Sequence, residues 1–304
     1  MTIAGLPQDK DVKWTHLSER TICDNLAFKD VIVSRYHVKK MLEFRNYKKR
    51  GLLKKIALKD VEGRNEQFEK IAAYRTSFAS QGLPILSIDT KKKELLGNFS
   101  RTGTAYSTAE RNTLDHDFLS SANGQMVPHG ILDVTDNAGY VTLGLSKDTS
   151  EFVCDNLSKC WTETLQYKYP DAETILLLCD GGGSNASAHY IVKQDLSKLA
   201  KELNINILVA HYPPYCSKWN PIEHRLFSQI THTWSGVPLK NIEYAKNLTN
   251  TTTTRTGLKV VTSINRKKYL TKRAVNQEFR DNIENYILFD DKRPKWNYLI
   301  MGTT

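Results

Sequence analysis

The sequence contains no apolar run approaching the roughly 18 residues that a helical membrane span requires, so an integral membrane protein is excluded. It contains no CxxC pair. Its five cysteines (Cys23, Cys154, Cys160, Cys179, Cys216) are scattered and odd in number, which argues for reduced thiols in a cytosolic chain rather than a disulfide framework. Residues 1–10 include an acid and no long apolar stretch, so no secretory leader is expected. There is no G-K-[ST] of a phosphate-binding loop and no His-Glu-x-x-His zinc motif. Asn247-Leu-Thr and Asn250-Thr-Thr match glycosylation acceptors, which carry no meaning in a cytosolic chain.

What is present is positive charge, unevenly placed. The 304 residues carry 43 Lys and Arg against 33 Asp and Glu, a formal net charge of +10. Between Arg35 and Lys59 ten basic residues face one acid, Glu43; between Arg255 and Arg280 eight face one acid, Glu278. Residues 81–254 hold 15 basic and 18 acidic residues. Two basic flanks around a mildly acidic middle suggest a polyanion-binding protein whose centre does something else. Solvated lysine faces are the alternative reading.

Residues 11–47 have helical spacing with a break at 28–33, and Ser34 is a candidate N-cap for the second helix. Such a pair fits a helix-turn-helix, with Arg35, His37, Lys39 and Lys40 able to face a groove. A basic linker follows, including Lys48, Lys49 and Arg50, and a helix is predicted over 65–80. From 83 the texture changes. Leu83–Ile88 and Thr174–Cys179 read as buried strands that end at Asp89 and Asp180, and 205–210 as another. Residues 130–134 and 140–144 read as a hairpin, 148–167 as a helix, and 90–128 as a polar insertion. A further helix opens at Asn220-Pro221. The expected domains are a DNA-binding segment with its linker at 1–64 and a mixed α/β sheet with flanking helices at 65–304, the latter ending in the basic C-terminal flank.

Asp89, Asp180 and Glu223 therefore fall where an open α/β sheet gathers ligands. Three carboxylates meeting there would hold Mg²⁺ or Mn²⁺, and a two-ion site serves in-line phosphodiester displacement. Each acid has a plainer reading. Asp89 could be a turn residue and Asp180 a cap of the glycine turn. Glu223 could close a capping box with Asn220 as N-cap and Pro221 at the first helical position. The turn Gly181–Ala186 also fits G-x-G-x-x-A, but the next strand ends Val-Ala-His211 without the acid that a dinucleotide ribose wants.

Four segments together carry a resemblance: residues 87–99 (SIDTKKKELLGNF), 178–185 (LCDGGGSN), 213–228 (PPYCSKWNPIEHRLFS) and 251–258 (TTTTRTGL). They resemble the Rhodopirellula-type DDE transposases of bacterial insertion sequences, over roughly residues 13–300. The resemblance implies an RNase H-like core with Asp89, Asp180 and Glu223 as the metal-binding acidic triad, spaced by 91 and 43 residues. It implies two Mg²⁺ or Mn²⁺ ions, cleavage of DNA at element ends, and transfer of a 3′-hydroxyl to target DNA. It also implies double-stranded DNA as partner, assembly as a homo-oligomer on it, and a nucleoid-associated place in a bacterial cytoplasm. Ser184 and Asn185 would then support Asp180 or meet a phosphate, Asn220 and His224 would orient Glu223, and Lys218, Trp219, Arg225 and Arg255 would contact DNA. Thr254 and Thr256 join that last group, and His211 reads as structural. Members of this family carry more protein before the helical pair, which implies a truncated copy or a misassigned start here. A DNA-binding protein without catalysis, or a nuclease of the same fold, are the rival readings.

Overall fold

The computed structural model describes residues 15–50, 61–182 and 189–302. The chain divides into two compact units, Met1–Ala57 and Leu58–Thr304.

In the first unit, Ser18 caps helix α1 (Glu19–Ala27), its hydroxyl accepting from Thr21 N–H at 3.1 Å. Ser34 caps α2 (Arg35–Phe44) through His37 N–H at 3.4 Å, as the sequence predicts. Val38 of α2 is buried, the one apolar side chain among the described residues of this unit that is.

The second unit opens with α3 (Arg64–Ser80) and β1 (Ile85–Thr90). It continues through β2 (Glu94–Leu96), β3 (Gly124–Asp133), β4 (Ala138–Gly144) and α4 (Ser150–Cys160). A π-helical turn at Trp161–Leu165 leads into the short α5 (Gln166–Lys168). Then come β5 (Thr174–Cys179), α6 (Tyr190–Leu203) and β6 (Asn206–His211). A second π-helical turn, Glu223–Phe227, runs into α7 (Ser228–Trp234), followed by α8 (Ile242–Asn250) and β7 (Lys259–Asn265). The chain closes through α9 (Gln277–Asp281), β8 (Ile287–Phe289) and β9 (Asn297–Ile300).

The nine described strands form one sheet in the order β7-β4-β3-β1-β5-β6-β9-β8, with β2 beside β3. β1, β3 and β4 are antiparallel neighbours, and β5 and β6 run parallel to β1. This is a mixed α/β sheet with flanking helices, as the sequence predicts. β5, the run Thr-Ile-Leu-Leu-Leu-Cys, is buried on both faces because helices cover both. On one face Met126, Leu132, Leu176 and Leu178 pack with Ile222, Leu226, Phe227 and Trp234. On the other, Leu86, Ile88, Leu177 and Val209 pack with residues of α4 and α6, Val153, Leu157, Val192 and Leu196 among them.

The region 90–128 differs from its expectation. It contains β2 and the first five residues of β3, so the hairpin strand begins at Gly124 rather than Gly130. Gln125, Pro128 and His129 hide that strand from apolar periodicity, although His129 is fully buried.

Candidate active site

β1 and β5 pair in parallel up to Ser87 opposite Leu178. Continued two residues along each strand, that register sets Asp89 beside Asp180. Side chains alternate along a strand. Leu176 and Leu178 face the helix that carries Glu223, and Asp180 follows at the same parity. Ser87 bonds to residues of that helix's entry, and Asp89 shares its parity. Both aspartates thus project from strand C-termini toward one face.

Glu223 is brought there by a stitched entry. Ser87 Oγ donates to Asn220 Oδ1 at 2.5 Å, Asn220 Nδ2 donates to Ile88 O at 3.0 Å, and Ile222 N–H donates to Ser87 Oγ at 3.1 Å. Ser87 and Asn220 are fully buried. The capping box, the plainer alternative for Glu223, does not form: Asn220 N–H donates to the Ser217 carbonyl at 2.8 Å, and the Asn220 side chain is turned to β1. Glu223 is therefore not spent on a cap. Gly130, opposite Asp89 in the ladder, lets the helix close in. A Cβ there would lie 2.7 Å from the Phe227 ring, and one at Gly139 would lie 2.5 Å from Leu226.

The electrostatics fit this closeness. Burial, then the charges of Asp180 and Glu223, push the Asp89 carboxyl up to about 8. Burial, with Glu223 and Asp148 nearby, raises Asp180 as well, against the pull of Gly182 N–H donating to Oδ1 at 3.3 Å. Asp148, which accepts from Thr90 Oγ1 at 3.1 Å, is a fourth acid at the strand ends. Among the described residues no three His, Cys, Asp or Glu side chains stand as a formed metal cage. The donor chemistry nevertheless fits a hard divalent cation: carboxylate oxygens whose mutual repulsion already favours holding a proton.

The remaining expected residues are placed as follows. Ser184 and Asn185 lie outside the described residues. His224 is exposed, beside Glu223 in the π-helical turn. Arg225 is half-buried and donates to Val134 O at 3.0 Å and Asn137 Oδ1 at 2.9 Å, which ties the turn to the β3–β4 connection. Lys218 is exposed, its ammonium 5.7 Å from the ring of Trp219, itself half-exposed and edge-on to Phe68. Arg35, Lys39, Lys40, Lys48, Lys49 and Arg50 are exposed in the first unit, with Lys40 3.6 Å from Glu43. Arg255 is exposed; Thr254 and Thr256 share a hydrogen bond at 2.9 Å, and Thr254 Oγ1 accepts from Leu258 N–H.

The second basic flank is less free than its charge suggests. Lys267 pairs with Glu151 at 3.0 Å and Asp155 at 2.8 Å, Arg273 with Asp195 and Glu151, and Arg266 with Glu243 at 2.8 Å. Sequence reading passed over Ser87 and Asp148. The parity of Ser87 with Asp89 is the signal that could have found the first.

The model of the Rhodopirellula transposase DDE domain matches residues 2–302. The chain belongs to that family. No curated protein matches it. Solved structures similar to it include a Mos1 transposase paired-end complex with the left transposon end, at 14% identity and TM-score 0.45. A pre-cleavage Mos1 transpososome is similar at 12% and 0.46, and a Mos1 mariner paired-end complex with Mn at 14% and 0.45. Each covers 79% of this chain, and the chain spans 66% of each, just under two thirds. Among the described residues no helix is long and apolar enough to cross a membrane.

Proposed function

We propose that this member of the family is a DDE transposase: it cleaves double-stranded DNA at the ends of an insertion sequence and joins the freed 3′-hydroxyl to target DNA. The observation that carries the reading is the convergence of Asp89, Asp180 and Glu223 on one face of the sheet, where burial first and then the charges of Asp180 and Glu223 push Asp89 up to about 8.

Asp89, Asp180 and Glu223 would hold Mg²⁺ or Mn²⁺, two ions in the full site. Bound there, the metal supplies an activated oxygen nucleophile and stabilises the leaving oxygen of an in-line displacement. The chain's own contribution is placement. β1 and β5 fix two carboxylates in register, and the Ser87–Asn220 stitch holds the third above them. Exposed Lys218, Trp219 and His224 flank Glu223 and would meet the DNA backbone and a splayed base. Arg35, Lys39, Lys40, Lys48, Lys49, Arg50 and Arg255 would bind duplex phosphates, and the protein would act as a homo-oligomer assembled on element ends. Ser184 and Asn185 would support Asp180.

The test is Asp180→Asn assayed on an element-end oligonucleotide with Mg²⁺ or Mn²⁺. Cleavage and joining are expected to vanish while DNA binding survives. Full activity in that variant overturns the reading, and nicks without joined product would reduce it to a nuclease.

A further inference from the structure

The β5–β6 ladder ends at Cys179 opposite His211, one residue short of Asp180. Beyond it the Asp180 carbonyl meets a side chain: His211 Nδ1 lies 2.9 Å from Asp180 O. A carbonyl oxygen only accepts, so Nδ1 carries the proton. Nε2 then accepts from the Tyr298 hydroxyl at 3.0 Å. Both rings are 1% exposed. The Asp180 carbonyl, which can only accept, sets the tautomer; the Tyr298 hydroxyl, able to donate or accept, donates to Nε2 in that form, and Cys179 Sγ lies 3.4 Å from Nδ1.

The histidine is itself held. Its N–H donates to Trp296 O at 2.8 Å, and its carbonyl accepts from Gln67 Nε2 at 2.9 Å. Gln67, in the first turn of α3, exchanges two amide hydrogen bonds with Asn297 of β9, at 2.9 and 2.8 Å. Both are fully buried. Asp180 is therefore gripped at its carbonyl by His211 and at its carboxylate by Gly182 N–H. The residue after it opens the glycine turn, where nothing in the sequence stiffens the backbone.

We propose that His211 is a positioning residue for Asp180, its Nδ1–H donating to the Asp180 carbonyl while Tyr298 holds the ring and the Gln67–Asn297 amide pair holds the backbone, so that the carboxylate faces Asp89 and Glu223. This rests on Asp180 being one of the metal-holding acids. Groups that orient ligands in this way typically change metal affinity about 10–100-fold when removed.

The test uses the full chain with three substitutions and two readouts. Mn²⁺ binding is followed by water-proton relaxation, and the His211 ring is read by ¹⁵N NMR of histidine-labelled protein. The unsubstituted protein is expected to show Nδ1–H. His211→Leu is expected to weaken Mn²⁺ binding about tenfold or more; His211→Asn, whose side-chain N–H falls near the place of Nδ1–H, should restore it to within about threefold. Tyr298→Phe should loosen the tautomer and weaken Mn²⁺ binding by less than His211→Leu does. Element-end DNA binding should stay unchanged in all three. An Nε2–H ring in the unsubstituted protein overturns the proposal. So do Leu and Asn variants that bind Mn²⁺ alike. If His211→Leu does not fold, Tyr298→Phe with unchanged tautomer and unchanged Mn²⁺ affinity overturns it. Failure of the functional reading looks different: the unsubstituted protein binds no Mn²⁺ while the ring still shows Nδ1–H, which reduces the clamp to a structural bond.

Discussion

Ser87 and Asn220, 133 residues apart in sequence, share a 2.5 Å hydrogen bond with no exposure to solvent. Removing the hydroxyl strands two groups at once, the Asn220 Oδ1 acceptor and the Ile222 N–H donor. Ser87→Ala is therefore expected to cost about 1–3 kcal/mol in urea unfolding. Because the same bonds set the height of Glu223, the variant should also lose metal-dependent cleavage by roughly tenfold or more under conditions where it is fully folded, a 1 Å misplacement being worth up to about 10²-fold.

The glycines under the π-helical turn make a steric prediction. A methyl at Gly130 would sit 2.7 Å from Phe227 and 2.9 Å from Ile222, and one at Gly139 2.5 Å from Leu226. Each alanine substitution should destabilise by about 1–3 kcal/mol through overpacking. Gly130→Ala, lying opposite Asp89, should cost more activity than Gly139→Ala at equal stability. Adding Phe227→Leu to Gly130→Ala should recover part of the loss, measured by thermal unfolding and cleavage of the double variant.

Acid sensitivity follows from His129. It is fully buried, neither ring nitrogen has a partner among the described residues, and burial lowers its pKa to about 3. A histidine depressed from its ordinary value of 6.5 contributes stability that is present above 6.5 and is lost as pH falls toward 3. The unfolded chain binds the extra proton in that window, so stability should fall there by about 1.4 kcal/mol per pH unit for this one group. Asp89 has the opposite sign: raised to about 8, it favours the folded state below its ordinary value and withdraws that support as pH rises. The two separate in a difference curve. His129→Leu should flatten the acid limb between pH 6.5 and 4 and leave neutral-pH stability unchanged or higher, since no hydrogen bond is broken. An unchanged acid limb in that variant would remove His129 as the cause.

Arg255 and Arg273 belong to one basic flank but should behave oppositely. Arg273 is a quarter exposed and compensates Asp195, which is 5% exposed. Arg273→Ala should cost about 2–4 kcal/mol, somewhat below a fully buried pair, and leave DNA affinity unchanged in the folded protein. Arg255, exposed and outside those pairs, should do the reverse: no change in melting temperature, weaker DNA binding, and a salt dependence reduced by about one unit of slope.

Particular residues explain how far the sequence could be read. Asp89 and Asp180 were legible because each ends a short apolar run, and such runs bounded by polar residues mark buried strands. Glu223 was legible through its motif, yet its local pattern pointed equally to a capping box. Only the tertiary bond that turns Asn220 away from the helix settles that choice. Charge counting found the basic flank but could not find Glu151, Asp155 and Asp195, which lie some 80–115 residues earlier and neutralise part of it. The first residues of strand 124–133 escape apolar periodicity because Gln125 and His129 are polar and Pro128 is a strand breaker, whereas the burial of His129 depends on Phe152 of α4.

The π-helical turn at Glu223–Phe227 has a consequence for what insertions and deletions this helix tolerates. A π turn holds one residue more than the α turn it interrupts, and each residue of an α-helix advances the face by about 100°. Glu223, which opens the wide turn, is aimed at the strand ends; Ile230 and Trp234, beyond it, are buried in the core. The helix is thus written in two reading frames joined at one surplus residue. Deleting any one of the four that follow Glu223 would let the turn relax to ordinary geometry and force a choice, with either the carboxylate swung away from Asp89 or Trp234 swung out of the core.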